Sequence, residues 1–371
     1  MAGLSSTLAQ LAKFRTMAGL GLPVQAGDRL GTLSSFGTNP GALGARTYVP
    51  ENLPAGRPLV VVLHGCTQSA SGYDHGAGWS QLADEHAFAL LLPEQQRANN
   101  PNLCFNWFTP ADARRDAGEA LSIRQMIAAM ADAHHIDRDR IFVTGLSAGG
   151  AMASIMLATY PEVFAGGAII AGLPFGCADS VSDALARMRG HGYPDDADLS
   201  DRVARASSHQ GRWPRIAVWQ GSADTTVAPS NAERIIAQWR GVHGLTATAP
   251  LCDTLDGCRR RTWHDAAGQP VIEALDVAGM GHGTPLRTSG PQACGTSGPY
   301  MIEAGISSTR QIARFWGVDD QPRAKPPASQ TETRSPAIDR PSQADAAPPP
   351  AGDTRVGTII ETALRNAGLM R

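Results

Sequence analysis

The chain has 371 residues, 42% of them hydrophobic and 18% charged, with a formal net charge of -2 at pH 7. That length suits one large or two ordinary globular domains at roughly 150 residues each, and so small a charge leaves no electrostatic footprint for nucleic acid. No window approaches the ~18 to 20 apolar residues of a spanning helix, which predicts a soluble protein without a membrane span.

Leu4, Leu8, Leu11 and Phe14 recur at helical spacing, so residues 1–30 read as an amphipathic helix over 4–18 and a lead-in. Lys13 and Arg15 interrupt its apolar side, and it lacks the charged start, unbroken apolar run and cleavage site of a secretory signal. From about Gly31 strand patterns take over. Residues 46–49, 58–63 and 87–92 read as strands, with a helix over 79–85 between the last two and a longer one over 119–134. Residues 141–143 form the next strand, and 148–160 a helix that Pro161 stops. Strands over 164–170, 216–219 and 271–277 complete the pattern, with a helix over 231–240 started by a Ser230/Glu233 capping box. Apolar strands alternating with helices predict an α/β architecture over 31–318: a mostly parallel central sheet with helices on both faces.

Residues 177–213 are polar, with scattered Gly and Pro, and read as an insertion near the site or a plain surface excursion. Beyond Trp316 prolines gather among Ala, Ser and charged residues, which marks 319–353 as a Pro/Ala-rich disordered linker. Val356, Ile359, Ile360, Ala363, Leu364 and Ala367 then make 354–371 a short amphipathic helix. Six cysteines stand at 66, 104, 177, 252, 258 and 294, with no metal-type C-x-x-C pair. Cys252 and Cys258 bracket a short polar loop and admit a bridge if their Cα atoms come within about 7 Å. Bridged and reduced cysteines are equally compatible with the sequence, so the compartment stays open.

Gly145-Leu146-Ser147-Ala148-Gly149 sets a serine between two glycines where an apolar strand gives way to a helix, the pattern of a nucleophile elbow. The bland alternative is a glycine-rich turn with an incidental serine. A serine hydroxyl needs a base, and the base an orienting acid. Asp224 follows the 216–219 strand in a Gly-containing loop, and His282 follows the 271–277 strand flanked by glycines. Their order after Ser147 is that of the α/β-hydrolases. An Asx turn for Asp224 and a turn histidine for His282 are the structural alternatives, and Asp253, Asp256 and Asp276 are rival acids that fit less well. The oxyanion donors expected are the backbone N–H of Ala148 and one in the 63–68 loop, at Cys66. A Cys66 nucleophile beside His64 is the weaker rival, because neighbours in a strand-end turn seldom face each other.

Four segments carry a family likeness: Leu63-His64-Gly65-Cys66-Thr67-Gln68, Asn102-Leu103-Cys104-Phe105-Asn106-Trp107-Phe108, Gly145-Leu146-Ser147-Ala148-Gly149-Gly150-Ala151-Met152, and Gly221-Ser222-Ala223-Asp224 with Asn231-Ala232. On these, about 45–317 resembles the esterase family that includes short-chain poly(3-hydroxyalkanoate) depolymerases and, more broadly, feruloyl and acetylxylan esterases. The resemblance implies the α/β-hydrolase fold, Ser147 as nucleophile, Asp224 and His282 as triad partners, and Cys66 at the oxyanion hole, open to a bridge with Cys104. It implies two-step acyl transfer with no cofactor and no metal. The substrate implied is an ester, foremost poly- or oligo(3-hydroxybutyrate), a hydrophobic polyester; a feruloyl or acetylxylan-type ester comes second and a peptide third. A non-catalytic scaffold that binds granules or partners is the reading of another class. Trp107, Leu173 and Phe175 are candidates for an apolar substrate wall, with core packing as open a role for each. Family members commonly carry a bulky aromatic after the position of Cys104 and an aspartate-tryptophan-type segment after the histidine; Phe105 fits loosely, and Gly283-Thr284-Pro285 departs, leaving the acyl pocket undefined. Secretion in the family implies an extracellular or periplasmic place; the amino terminus does not support it, and the cytoplasm stays open.

Overall fold

Leu59–Leu63, Ile141–Leu146 and Gly166–Ile170 carry almost no polar side chains, a composition suited to strands covered on both faces. In the computed structural model, which describes residues 28–319, they lie side by side in the middle of a ten-stranded sheet. The expected amino-terminal helix, the linker from 320 on and the carboxyl-terminal helix lie outside the described residues.

The sheet strands are β1 Gly31–Thr32, β2 Gly44–Tyr48, β3 Leu59–Leu63, β4 Ala89–Glu94, β5 Ile141–Leu146, β6 Gly166–Ile170, β7 Arg215–Gly221, β8 Leu251–Leu255, β9 Cys258–His264 and β10 Pro270–Val277, in the spatial order β1-β2-β4-β3-β5-β6-β7-β10-β9-β8. Neighbours from β4 to β10 run parallel, and β1–β2 and the β8–β9 hairpin finish the two edges antiparallel. A small parallel pair, β11 Thr284–Leu286 and β12 Met301–Glu303, follows β10. The helices are α1 Ala70–Ala77, α2 Trp79–His86, α3 Gly118–Ala133, α4 Ala148–Thr159, α5 Val181–Met188, α6 Asp196–Arg205, α7 Ser230–Val242 and α8 Ser308–Trp316. Among the described residues no helix is long and apolar enough to cross a membrane.

Side chains alternate across each strand, so β3 feeds two cores. Leu59, Val61 and Leu63 join Ile123 and Met126 of α3, Met152 and Met156 of α4, and Trp239 of α7 on one face. Val60 and Val62 join Trp79 and Leu82 of α2 and Ile312 and Trp316 of α8 on the other. α4 is buried along its whole length, which explains a helix that is apolar all round. The expected mostly parallel sheet with helices on both faces is what the chain forms.

Two local expectations change. The polar 253–257 stretch between Cys252 and Cys258 is not a loop closed by a bridge but part of the β8–β9 hairpin, turned by Asp256 and Gly257 at φ +48° and +81°, as a tight Asp-Gly turn requires. Its register sets Cys252 opposite Arg261 and Cys258 opposite Leu255, so the two cysteines are not cross-strand partners and both are free. The Ser230/Glu233 capping box does not form: α7 starts after Pro229 with no side-chain cap, and Glu233 reaches the Arg261 guanidinium at 2.6 and 3.0 Å. A bidentate ion pair to a neighbouring strand outcompetes the local cap. The polar 177–213 stretch holds α5 and α6, capped by Ser180 and Asp195, and α6 packs along α7 with Leu199 and Val203 buried.

Trp316 stacks on Phe142 of β5 at 4.9 Å and on Trp79 at 6.1 Å, pinning α8 to the sheet. Trp316→Ala should lower unfolding free energy by roughly 3–5 kcal/mol in denaturant titration; a loss below about 1 kcal/mol would show that this stack is not a core element.

Candidate active site

At the end of β5 the chain turns into α4 through Ser147, whose φ of +58° and ψ of -117° form a strained conformation for a non-glycine residue. The surroundings hold it there. The Ser147 N–H donates to Ile170 O of β6 at 2.9 Å, and Ser147 O accepts from Ala151 N–H at 2.9 Å. The flanking glycines answer to space: a Cβ at Gly145 would lie 2.3 Å from Gly149 O, and one at Gly149 would lie 2.3 Å from Leu63 O and 2.5 Å from His64 O. The elbow expected from the sequence is therefore present, with Ser147 9% exposed at the mouth of the helix.

The loop after β3 lies against this helix start. Thr67, at φ +64°, donates its N–H to Asn102 O at 2.7 Å, Gln68 Oε1 accepts the Gly65 N–H at 2.8 Å, and Cys66 is bridged to Cys104. The bridge leaves Cys66 no thiol to act as a nucleophile. His64 is buried, donates Nδ1–H to Gly65 O at 2.8 Å and accepts the Gln95 N–H at Nε2 at 3.1 Å. Burial lowers its pKa, so the ring is neutral with both nitrogens occupied and is unavailable as a base. Among the described residues, no acceptor takes the N–H of Cys66 or of Ala148. The first amides of α4 point out of its positive end beside that loop.

Asp224 and His282 meet. Asp224 lies just beyond β7 and is buried; Oδ1 accepts the Thr226 and Val227 N–H groups at 2.9 Å each, and Oδ2 accepts Gln220 Nε2 at 3.0 Å and His282 Nδ1–H at 2.7 Å. Four N–H donors fit an ionised carboxylate, which can only accept. The loop carrying His282 docks on the β7 loop: Ala223 N–H reaches Met280 O at 3.0 Å, and Ser222 Oγ accepts the Gly279 N–H at 2.8 Å. A Cβ at Gly221 would lie 2.3 Å from Met280 O, so the glycine permits the approach. The rival acids are engaged elsewhere, Asp276 with Arg259 and Arg261, Asp253 with Arg260, and Asp256 with Arg287 and Gln311.

Two further residues at this site, Gln220 and Tyr300, emerge only from the structure. Gln220 is buried at the end of β7, and its amide holds Asp224 Oδ2 and Val227 O together. Tyr300, at φ +61°, sets its ring edge-on to His282 at 6.0 Å, while its carbonyl accepts the Thr284 N–H at 2.8 Å. A polar residue ending an apolar strand was the available clue to Gln220; Tyr300 is distant in sequence and gave none. Of the proposed wall residues, Leu173 is fully covered at 1% exposure, Trp107 shows 8%, and Phe175 is half-buried with both backbone groups bonded to Gln238. All three pack on the α3–α4–α7 core. Among the described residues no group of three or more His, Cys, Asp and Glu could hold a metal ion.

Comparison with known proteins finds esterases. The family model described as esterase PHB depolymerase matches residues 45–260. The chain is 45% identical over 289 residues to poly(3-hydroxyalkanoate) depolymerase C of Paucimonas lemoignei, covering 77% of this chain and 69% of that protein. It is 31% identical over 277 residues to feruloyl esterase B of Talaromyces stipitatus, covering 72% and 76%. An acetyl xylan esterase structure from Aspergillus awamori shares the fold with a TM-score of 0.65 at 23% identity, covering 78% of this chain and 99% of that one.

Cys66 and Cys104 are bridged, Cys177, Cys258 and Cys294 are free and buried, and Cys252 is free and exposed. Thiol titration without reductant should therefore find one fast thiol in the native protein and four after unfolding. Six in the unreduced, unfolded protein would contradict the bridge.

Proposed function

The chain belongs to the esterase PHB depolymerase family and is a carboxylic-ester hydrolase, and we propose that Ser147 is its nucleophile in a two-step acyl transfer. The observation that carries this reading is the 2.7 Å bond from His282 Nδ1–H to Asp224 Oδ2. With its proton committed to the carboxylate, the imidazole keeps its lone pair on Nε2, the tautomer a general base needs. His282 takes the Ser147 proton as Oγ attacks the ester carbonyl. Asp224 stabilises the imidazolium that forms, and the N–H groups of Cys66 and Ala148 receive the developing oxyanion. His282 then protonates the leaving alcohol and activates the water that frees the acyl group.

For the substrate we propose esters of 3-hydroxyalkanoates, as polymer or oligomer. What supports this is the 45% identity to a poly(3-hydroxyalkanoate) depolymerase, against 31% to a feruloyl esterase and 30% to an acetylxylan esterase. The Cys66–Cys104 bridge supports residence in an oxidising compartment.

Ser147→Ala should cut turnover of amorphous poly(3-hydroxybutyrate) and of short p-nitrophenyl esters on the order of 10⁶-fold; near-normal hydrolysis would overturn the assignment. Asp224→Asn, which offers His282 an amide and disfavours the productive tautomer, should cost about 10⁴-fold in kcat with little change in KM. Turnover of methyl ferulate with none of the polymer would move the substrate to the phenolic-ester reading.

A further inference from the structure

Behind the 63–68 loop lies a buried carboxylate with no ion pair among the described residues. Glu119, in the first turn of α3, is 0% exposed. Its Oε1 accepts from Gln95 Nε2 at 2.6 Å, Asn106 Nδ2 at 2.8 Å and Asn99 Nδ2 at 3.5 Å, and its Oε2 accepts the Asn106 N–H at 2.9 Å. Every donor is a neutral amide. Burial pushes the carboxyl up to about 8, with the Asn106 and Gln95 amides acting against it and Asp112 adding to it. Burying such a group is costly unless its bonds are worth keeping.

Those same amides lead to the loop that carries Cys66. Gln95 Nε2 also donates to Cys104 O at 2.9 Å, and the Gln95 N–H fixes His64 Nε2 at 3.1 Å. Asn106 Oδ1 accepts from Asn100 Nδ2 at 2.8 Å, and Asn100 Oδ1 gathers the N–H groups of Asn102 at 3.0 Å and Cys104 at 3.3 Å. Cys104 is bridged to Cys66, and Asn102 O takes the Thr67 N–H at 2.7 Å. Both ends of the Cys66–Thr67 step thus hang on a segment that Glu119 gathers from beneath.

We propose that Glu119 is a positioning residue for ester hydrolysis: through Gln95 and Asn106 it sets the segment bridged to Cys66 and so aims the Cys66 N–H at the oxyanion. This rests on the assignment of Cys66 made above. Both carboxylate oxygens must accept for the arrangement to close, and the isosteric amide cannot provide that, because its NH₂ faces another N–H donor.

The test is Glu119→Gln, folded and with its disulfide intact, assayed on a short p-nitrophenyl ester. We expect kcat to fall about 10-fold or more, short of the ~10²–10³ for outright loss of an oxyanion donor, with KM changed less than about two-fold. Affinity for an alkylboronic acid, whose tetrahedral adduct on serine mimics the oxyanion, should fall by the same factor as kcat. Gln95→Met, which leaves Glu119 in place, should give the same split and is the variant to read if Glu119→Gln does not fold. Unchanged kcat and boronate affinity in a folded variant overturn the proposal, and so does a raised KM with unchanged kcat. Ser147→Ala in parallel separates the two claims. If it is inert while Glu119→Gln is fully active, only the role of Glu119 falls; if it stays active, the serine mechanism beneath that role falls.

Discussion

The close approach of the α4 amino terminus to the end of β3 is the constraint on which the site depends. With no side chain at 149, the turn at Ser147 packs directly against Leu63 and His64, whose carbonyl oxygens an added Cβ would meet at 2.3 and 2.5 Å, and with none at 145 the turn closes on Gly149 O, which a Cβ there would meet at 2.3 Å. That contact sets the first amides of a helix beside the 63–68 loop, the two elements from which the oxyanion donors are proposed to come. Donors fixed in this way need no reorganisation as charge develops on a carbonyl oxygen. The positive φ of Ser147 is the local cost, roughly 1–3 kcal/mol. It is borne by a helix buried on every side and by the bond to Ile170.

Strand order supplies the rest. β5, β6, β7 and β10 are parallel neighbours, so the turns after β5, β7 and β10 open on one edge of the sheet and bring Ser147, Asp224 and His282 to the same end of the molecule. The carboxyl edge of a parallel sheet is where such folds place their chemistry. Around the Asp224–His282 bond the structure adds support that is neither acid nor base: the Gln220 amide on the carboxylate, the Ser222–Gly279 bond between the two loops, and the Tyr300 ring beside the imidazole. Each restricts one freedom of the pair.

Much of this was legible in the sequence, because the elbow, the Asp224 loop and the His282 loop are backbone demands that leave glycines at fixed offsets. The parallel sheet showed itself in apolar runs. What the sequence hid was tertiary. Glu233 looked like a cap because Arg261, its true partner, is on a strand far along the chain. The β8–β9 hairpin shows no strand pattern of its own because β8 is exposed and does not alternate, although Asp256-Gly257 is a hairpin signal. Glu119 stands in the sequence only as the start of a helix; the fold shows it wholly buried among amides. Tyr300 reaches His282 through the β11–β12 pair, a contact that no local pattern announces.

The proposed mechanism requires one reactive oxygen, Ser147 Oγ, activated only in the folded chain. A fluorophosphonate, which reacts with activated serines, followed by peptide mapping in a mass spectrometer, tests this most directly. The proposed triad requires one covalent adduct per chain, on Ser147, formed in step with loss of ester hydrolysis and absent from the unfolded protein. Full inactivation with the adduct on another residue, or hydrolysis that persists with Ser147 fully labelled, would contradict it.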